Sequence, residues 1–146
     1  MDEIIACLQE QQVSPALLQD IENFRKQYPV AQEAKARLTR PQLPFLGKET
    51  FEMAASALLQ GENILLTGAK AAGKNILAEN LAWLFGRPLY NISFHVNTDS
   101  STLIGTDTFR DNEVQMRTGP VYDSAVQGGF AVLDEINMAK NDAVSV

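Results

Sequence analysis

One cysteine, Cys7, and one histidine, His95, stand among 146 residues. A lone cysteine excludes an internal disulfide and any C-x-x-C metal site. A basic excess is also missing. Twelve Lys and Arg against 18 Asp and Glu leave a net charge of −6, which argues against broad binding to nucleic acid or to an anionic membrane. No apolar run reaches the length of a membrane span. Met1-Asp2-Glu3-Ile4 opens without the positive region and apolar stretch of a signal peptide, so cytoplasm is the expected compartment. Internal repeats and low-complexity tracts are absent. The remainder is ordinary: 45% hydrophobic and 21% charged residues, in a length that supports a single core.

Residues 1–40 read as a helical extension. Ile4, Ile5 and Leu8 share one helical face. Ser14-Pro15 is a helix start, with a capping hydroxyl followed by proline at the first helical position. Leu17, Leu18, Ile21 and Phe24 follow at helical spacing, Pro29 ends that run, and Ala31 to Leu38 predicts a further short helix. Pro41 and Pro44 mark a linker. From there to residue 146 strands and helices alternate, which predicts an α/β domain with a parallel sheet covered on both faces. Helices are expected at Lys48–Gln60, Lys74–Phe85 and Pro120–Gln127, with one turn at Thr102–Ile104. Strands are expected at Asn63–Thr67, Leu89–Phe94 and Phe130–Leu133, and a hairpin at Thr106–Thr118 turning at Asp111-Asn112.

The chemistry lies at two of these junctions. Gly68-Ala69-Lys70-Ala71-Ala72-Gly73-Lys74-Asn75 fits G-x-x-x-x-G-K-[ST] except at its last residue. A strand before and a helix after is the context such a phosphate loop needs. Loop N–H groups surround the anion, and the helix directs its positive dipole end at it. Gly68 and Gly73 permit a close backbone approach, and Lys74 carries positive charge to the β- and γ-oxygens. Sixty residues after Lys74, the apolar run Phe130 to Leu133 ends in Asp134-Glu135, a Walker B pattern. Asp134 is the expected Mg²⁺ ligand, acting through water. Glu135 is the expected general base on the attacking water, against the plainer reading of a solvated acid at a strand end.

Asn75 stands where a hydroxyl normally ligates Mg²⁺. Its amide oxygen is a hard ligand on a side chain one atom longer. Two readings follow: an Asn-ligated metal, or a site that binds nucleotide and turns it over slowly. Lys70 is either a further phosphate contact or a solvated side chain. His95 either meets Glu135 or lies on the surface, Arg110 and Arg117 either reach a neighbouring subunit or solvate the hairpin, and Cys7 reads as a helix residue facing the core.

Leu46-Gly47-Lys48-Glu49, the strand and loop from Asn63 to Asn75, Leu103-Ile104-Gly105, Gly119-Pro120 and Leu133-Asp134-Glu135-Ile136-Asn137 together resemble the MoxR-type AAA+ ATPases of the helix-2-insert clade. The resemblance covers residues 45–146, and residues 1–40 have no counterpart in it. It implies a P-loop NTPase sheet, with ATP and Mg²⁺ held between subunits of a ring, often a hexamer. Leu46-Gly47 is then the adenine contact, residues 68–75 the phosphate contact, Asn75 and Asp134 the metal ligands, and Lys74 and Glu135 the catalytic pair. The hairpin Thr106–Thr118 faces the pore. Remodelling of a protein client is implied, often beside a partner with a von Willebrand factor A domain.

A nucleotide-dependent scaffold with little hydrolysis is the alternative. A ring motor acting on nucleic acid shares these motifs, but the acidic balance opposes it. The family pattern continues beyond Walker B with a further strand, a sensor, an arginine finger and a helical lid. An N-terminal part of such a domain, residues 41–146, is therefore the expectation. The purified chain is expected to fold marginally, bind ATP weakly and hydrolyse it inefficiently. Steady turnover by this chain, abolished by Glu135→Gln, overturns that expectation.

Overall fold

In a computed structural model of the protein, residues 2–69, 73–94, 98 and 100–135 are described. They form two compact units, Met1–Arg87 and Pro88–Val146.

The first unit is helical. Helix α1 (Glu3–Glu10) starts at Asp2, whose carboxylate accepts the Ile4 N–H at 3.0 Å. The second Asp2 oxygen accepts the Trp83 indole N–H at 2.6 Å, so a local cap is also a long-range tie. Helix α2 (Pro15–Gln27) begins as its sequence predicts, with the Ser14 hydroxyl accepting from Leu17 N and Pro15 at the first position. A 3₁₀ turn follows at Gln32–Arg37, where a short helix is expected. Helices α3 (Lys48–Leu59) and α4 (Lys74–Phe85) match their predicted spans to within a residue. Helix α2 packs on both. The rings of Phe24 and Phe85 meet edge to face with centroids 5.1 Å apart. Ile4, Leu8, Val13, Ile21, Phe51, Ala55, Leu77, Leu81 and Phe85 are buried. At the end of α4, Gly86 takes the left-handed conformation of a helix stop. There the Arg87 guanidinium donates to the Tyr28 carbonyl, and burial lowers its pKa from the usual value.

Residues 63–67 depart from expectation. Asn63–Thr67 is not a strand. Its side chains still alternate, with Ile64 and Leu66 half-buried and Leu65 83% exposed. A strand is defined by a neighbour that takes its N–H and C=O groups. The first unit offers no such neighbour among the described residues.

The second unit carries the strands. β1 (Leu89–Ser93) and β4 (Phe130–Asp134) form a parallel pair, from Leu89 opposite Phe130 to Ser93 opposite Asp134. Helix α5 (Ser100–Ile104) leads into an antiparallel hairpin, β2 (Gly105–Arg110) with β3 (Glu113–Thr118). Asp111 and Asn112 make the two-residue turn, both at positive φ (52° and 63°), as a type I′ loop requires. Helix α6 (Pro120–Gln127) packs on β1 and β4. Ile92, Phe94 and Leu103 form its core, with Val121 packed against them. Asn91 and Ser93, which alternate with the buried residues of β1, are exposed, as are Ala131 and Leu133 of β4. Asn91 and Ser93 are the polar side chains that an uncovered strand position tolerates.

Gly119, which opens α6, is pressed against α5. A Cβ there would lie 2.3 Å from the Leu103 carbonyl oxygen and 2.6 Å from that of Thr102. Both obstacles are backbone and cannot turn aside. Gly119→Ala is expected to destabilise the second unit by about 1–3 kcal/mol, the ordinary cost of overpacking. Urea unfolding followed by circular dichroism checks this, and an unchanged midpoint refutes it.

Candidate functional site

Gly73 is the N-cap of α4, at φ 88° and ψ 14°. A residue with a Cβ is disfavoured there. A glycine cap also has no side-chain oxygen to satisfy the first N–H groups of the helix, so the start of this 12-residue helix offers its donors to an anion. Lys74 follows at the first helical position, and its Nζ donates to the Gly68 carbonyl at 3.0 Å. That bond ties the start of α4 back to Gly68, the first residue of the motif. Gly68 itself sits at φ 156°. Ala69 is described, whereas Lys70, Ala71 and Ala72 lie outside the described residues. Asn75, in the first turn of α4, is exposed. Dipole, ammonium and uncapped donors are the set a polyphosphate needs.

Leu46 and Gly47 precede α3. Leu46 is 73% exposed, and Gly47 is the N-cap of that helix. Two residues the motif reading missed hold this segment: Gln11, just past the end of α1, and Asn80 in α4. Asn80 left a faint trace in the sequence. It is a polar residue on the buried stripe Leu77, Leu81, Leu84 of an otherwise apolar helix face. Gln11 left none.

Asp134 and Glu135 belong to the second unit and are described within it. Both are exposed. The Asp134 carbonyl accepts the Phe94 N–H at 2.9 Å, which extends the β1–β4 ladder to the strand end. One Asp134 carboxylate oxygen accepts the Glu135 N–H at 3.0 Å. Glu135 stands at φ 55°, rare for a residue other than glycine. A side chain in that region costs about 1–2 kcal/mol and recurs where function demands it. The sequence carries no sign of this backbone turn. Asp134 carries a hard carboxylate and Asn75, in the first unit, a hard amide oxygen, each a ligand type that Mg²⁺ accepts beside phosphate oxygens and water. His95, Ile136 and Asn137 lie outside the described residues, as does the Arg110 side chain.

Another cavity, about 500 Å³, lies among α1, α2 and Leu84, lined by Ile5, Val13, Leu18, Ile21 and Arg25 among others. It includes no residue of the phosphate loop or of Leu46-Gly47. No helix among the described residues is long and apolar enough to cross a membrane.

Residues 63–146, more than half of the chain, match the family described as AAA domain (dynein-related subfamily). The chain is also similar to the uncharacterized protein YojN of Bacillus subtilis (34% identical over 94 residues, 62% of this chain and 31% of that protein). Two staphylococcal proteins, both uncharacterized, are similar in turn. SSP1341 of Staphylococcus saprophyticus is 35% identical over 101 residues, 66% of this chain and 38% of that protein. SAB1265c of Staphylococcus aureus is 34% identical over 90 residues, 58% and 34% respectively. The chain spans about a third of the length of these relatives.

Lys74→Met keeps the stem and removes the charge. Affinity for inorganic tripolyphosphate is expected to fall by about tenfold or more, the scale of a lost charge-assisted contact. Titration calorimetry reads this, and an unchanged affinity removes Lys74 from the anion site.

Proposed function

The chain belongs to the dynein-related subfamily of AAA domains, and we propose that it supplies the nucleotide-binding part of an ATPase that remodels other proteins. The observation that carries this reading is the start of α4, where a left-handed glycine cap, an ammonium bonded to the Gly68 carbonyl and uncapped helix donors converge. ATP and Mg²⁺ are the ligands proposed. Bound ATP supplies the phosphoryl bond, and Mg²⁺ neutralises charge as that bond breaks.

The chain's own residues have separate tasks. Residues 68–75 bind the phosphates, with Lys74 placing its ammonium on the terminal oxygens. Asn75 and Asp134 would hold the metal. Glu135 would accept the proton of the attacking water, and its left-handed backbone turns its side chain away from the direction the strand would give it. Leu46 and Gly47 are proposed to contact the base, which suits an exposed leucine beside a glycine. Residues 1–40 are proposed as a helical extension to the ATPase part, which begins near residue 41.

The MoxR type, the ring (a hexamer) and the von Willebrand factor A partner are proposals carried by the sequence resemblance. One feature of the structure supports contact with a client. The hairpin places Phe109 opposite Val114, and both are exposed, at 74% and 69%. An apolar cross-strand pair open to solvent at the tip of a polar ribbon suits a protein-binding role. Cytoplasmic residence is a separate proposal, independent of that resemblance.

Turnover in the intact protein tests the reading. Glu135→Gln is expected to lower kcat by about 100-fold or more while ATP still binds, the usual scale for removing a general base. Asn75→Thr is expected to change kcat by less than about threefold if the amide serves as ligand. A gain well above tenfold with Thr, from a nearly inactive parent, favours instead the scaffold that binds nucleotide without turning it over.

A further inference from the structure

The stretch Leu43–Gly47 lies outside any strand or helix, and only its last carbonyl, that of Gly47, is taken by a helix, at the Phe51 N–H of α3. Two side-chain amides take other backbone groups of the stretch. Gln11 Nε2 donates to the Phe45 carbonyl at 3.0 Å, and Gln11 Oε1 accepts the Gly47 N–H at 2.8 Å. From the other side, Asn80 Oδ1 accepts the Phe45 N–H at 3.1 Å, while its Nδ2 donates to the Leu43 carbonyl at 2.9 Å and to its own helix at Ile76, 2.8 Å. Both backbone groups of Phe45 are thus held by side-chain amides, one from the cap that ends α1 and one from within α4.

The Phe45 ring fills the space between the two glycines that matter. A Cβ on Gly47 would come 2.9 Å from its Cε1, and a Cβ on Gly73 would come 3.6 Å from its Cε2. One aromatic ring therefore touches both the residue beside Leu46 and the cap of the phosphate helix. Leu46, flanked by the two residues Gln11 grips, has a fixed backbone and a side chain directed into solvent. A surface held ready in this way avoids the ordering cost that a mobile segment would meet on binding.

We propose that Gln11, from outside the matched AAA residues, is a positioning residue for the nucleotide base: it holds Leu46-Gly47 in the conformation that receives adenine. This rests on the reading of Leu46-Gly47 as the base contact. It makes the helical extension part of the nucleotide site, so that displacement of α1 by any partner would loosen the base and leave the phosphate cradle intact.

The test separates base from phosphate. ATP and inorganic tripolyphosphate are titrated, each with Mg²⁺, against the intact protein and its Gln11→Met variant, which keeps side-chain volume and removes the amide bonds to Phe45 and Gly47 along with those to Cys7. The wild type is expected to bind ATP more tightly than tripolyphosphate. Gln11→Met is expected to weaken ATP by about fivefold or more and tripolyphosphate by less than about twofold, the signature of lost preorganisation at the base alone. Leu46→Ala should show the same split, and the double variant should lose little more than Leu46→Ala, since both act at one contact. If both ligands weaken equally, or ATP is unaffected, Gln11 has only a structural role and the proposal falls while the base reading stands. If the wild type does not distinguish ATP from tripolyphosphate, or binds neither, the base reading itself falls and takes the proposal with it. Should Gln11→Met prevent folding, Gln11→Glu makes the same comparison, because it keeps the acceptor for Gly47 and loses the donor to Phe45.

Discussion

Backbone groups that have no regular partner must find one elsewhere, and in the first unit the demand falls on two side-chain amides. Asn80 is fully buried and makes three bonds, two of them to a segment about 35 residues away in sequence. Gln11 closes the same segment from the N-terminal side. A fully buried backbone N–H or C=O left unpaired costs about 1–3 kcal/mol, and these part-buried groups would meet a share of that cost if either amide were replaced by an apolar side chain of the same size. The register of α1 and α4 against residues 43–47 follows from this, and with it the place of Phe45 between Gly47 and Gly73.

The second unit solves its polar accounting differently, by ladder. β1 and β4 pair over their whole length and the Phe94 N–H continues the pairing onto Asp134. The chain then turns at Glu135 through a conformation that side chains avoid. An acid strand end fixed by a neighbouring strand, followed at once by a strained acid, gives the two carboxylates different settings. Asp134 has one oxygen engaged by the next N–H, whereas Glu135 is oriented by its backbone. A regular strand continued through residue 135 would have set the two acids on opposite faces by simple alternation.

Most of the helices were legible because their signals are local. Ser14-Pro15, Gly73 and Gly86, and Pro120 with Gly128 all mark ends where the structure has them, since a cap depends on residues within a turn or two. The hairpin was legible for the same reason, its turn being written in Asp111-Asn112. Asn63–Thr67 was misread because a strand is not a local object. Ile64 and Leu66 have the β-type alternation, but alternation specifies a face and not a neighbour, and the neighbour decides. For the candidate site, the glycines, Lys74 and the paired acids could be read from spacing. The Glu135 backbone and the Gln11 clamp could not, since both arise from contacts that spacing does not encode.

Asn80 shows how such a contact can still be suspected. Asparagine is a poor helix former, less favourable than alanine by about 0.6 kcal/mol, because its amide competes for backbone groups. On the buried stripe of α4 it also forgoes the apolar burial that Leu77, Leu81 and Leu84 achieve beside it. A residue that violates both the local propensity and the pattern of its face is tolerated when something else is gained. Here the gain is the far side of its hydrogen bonds, the segment that leads into α3 and carries Leu46. The same argument runs in reverse for Gln11. It lies just past the end of α1, where a glutamine breaks no rule, so nothing in the helix betrays that its amide is committed to a loop 34 residues away. Long-range polar contacts are visible in a sequence only where they force a local exception, and a site assembled at helix ends can form without one.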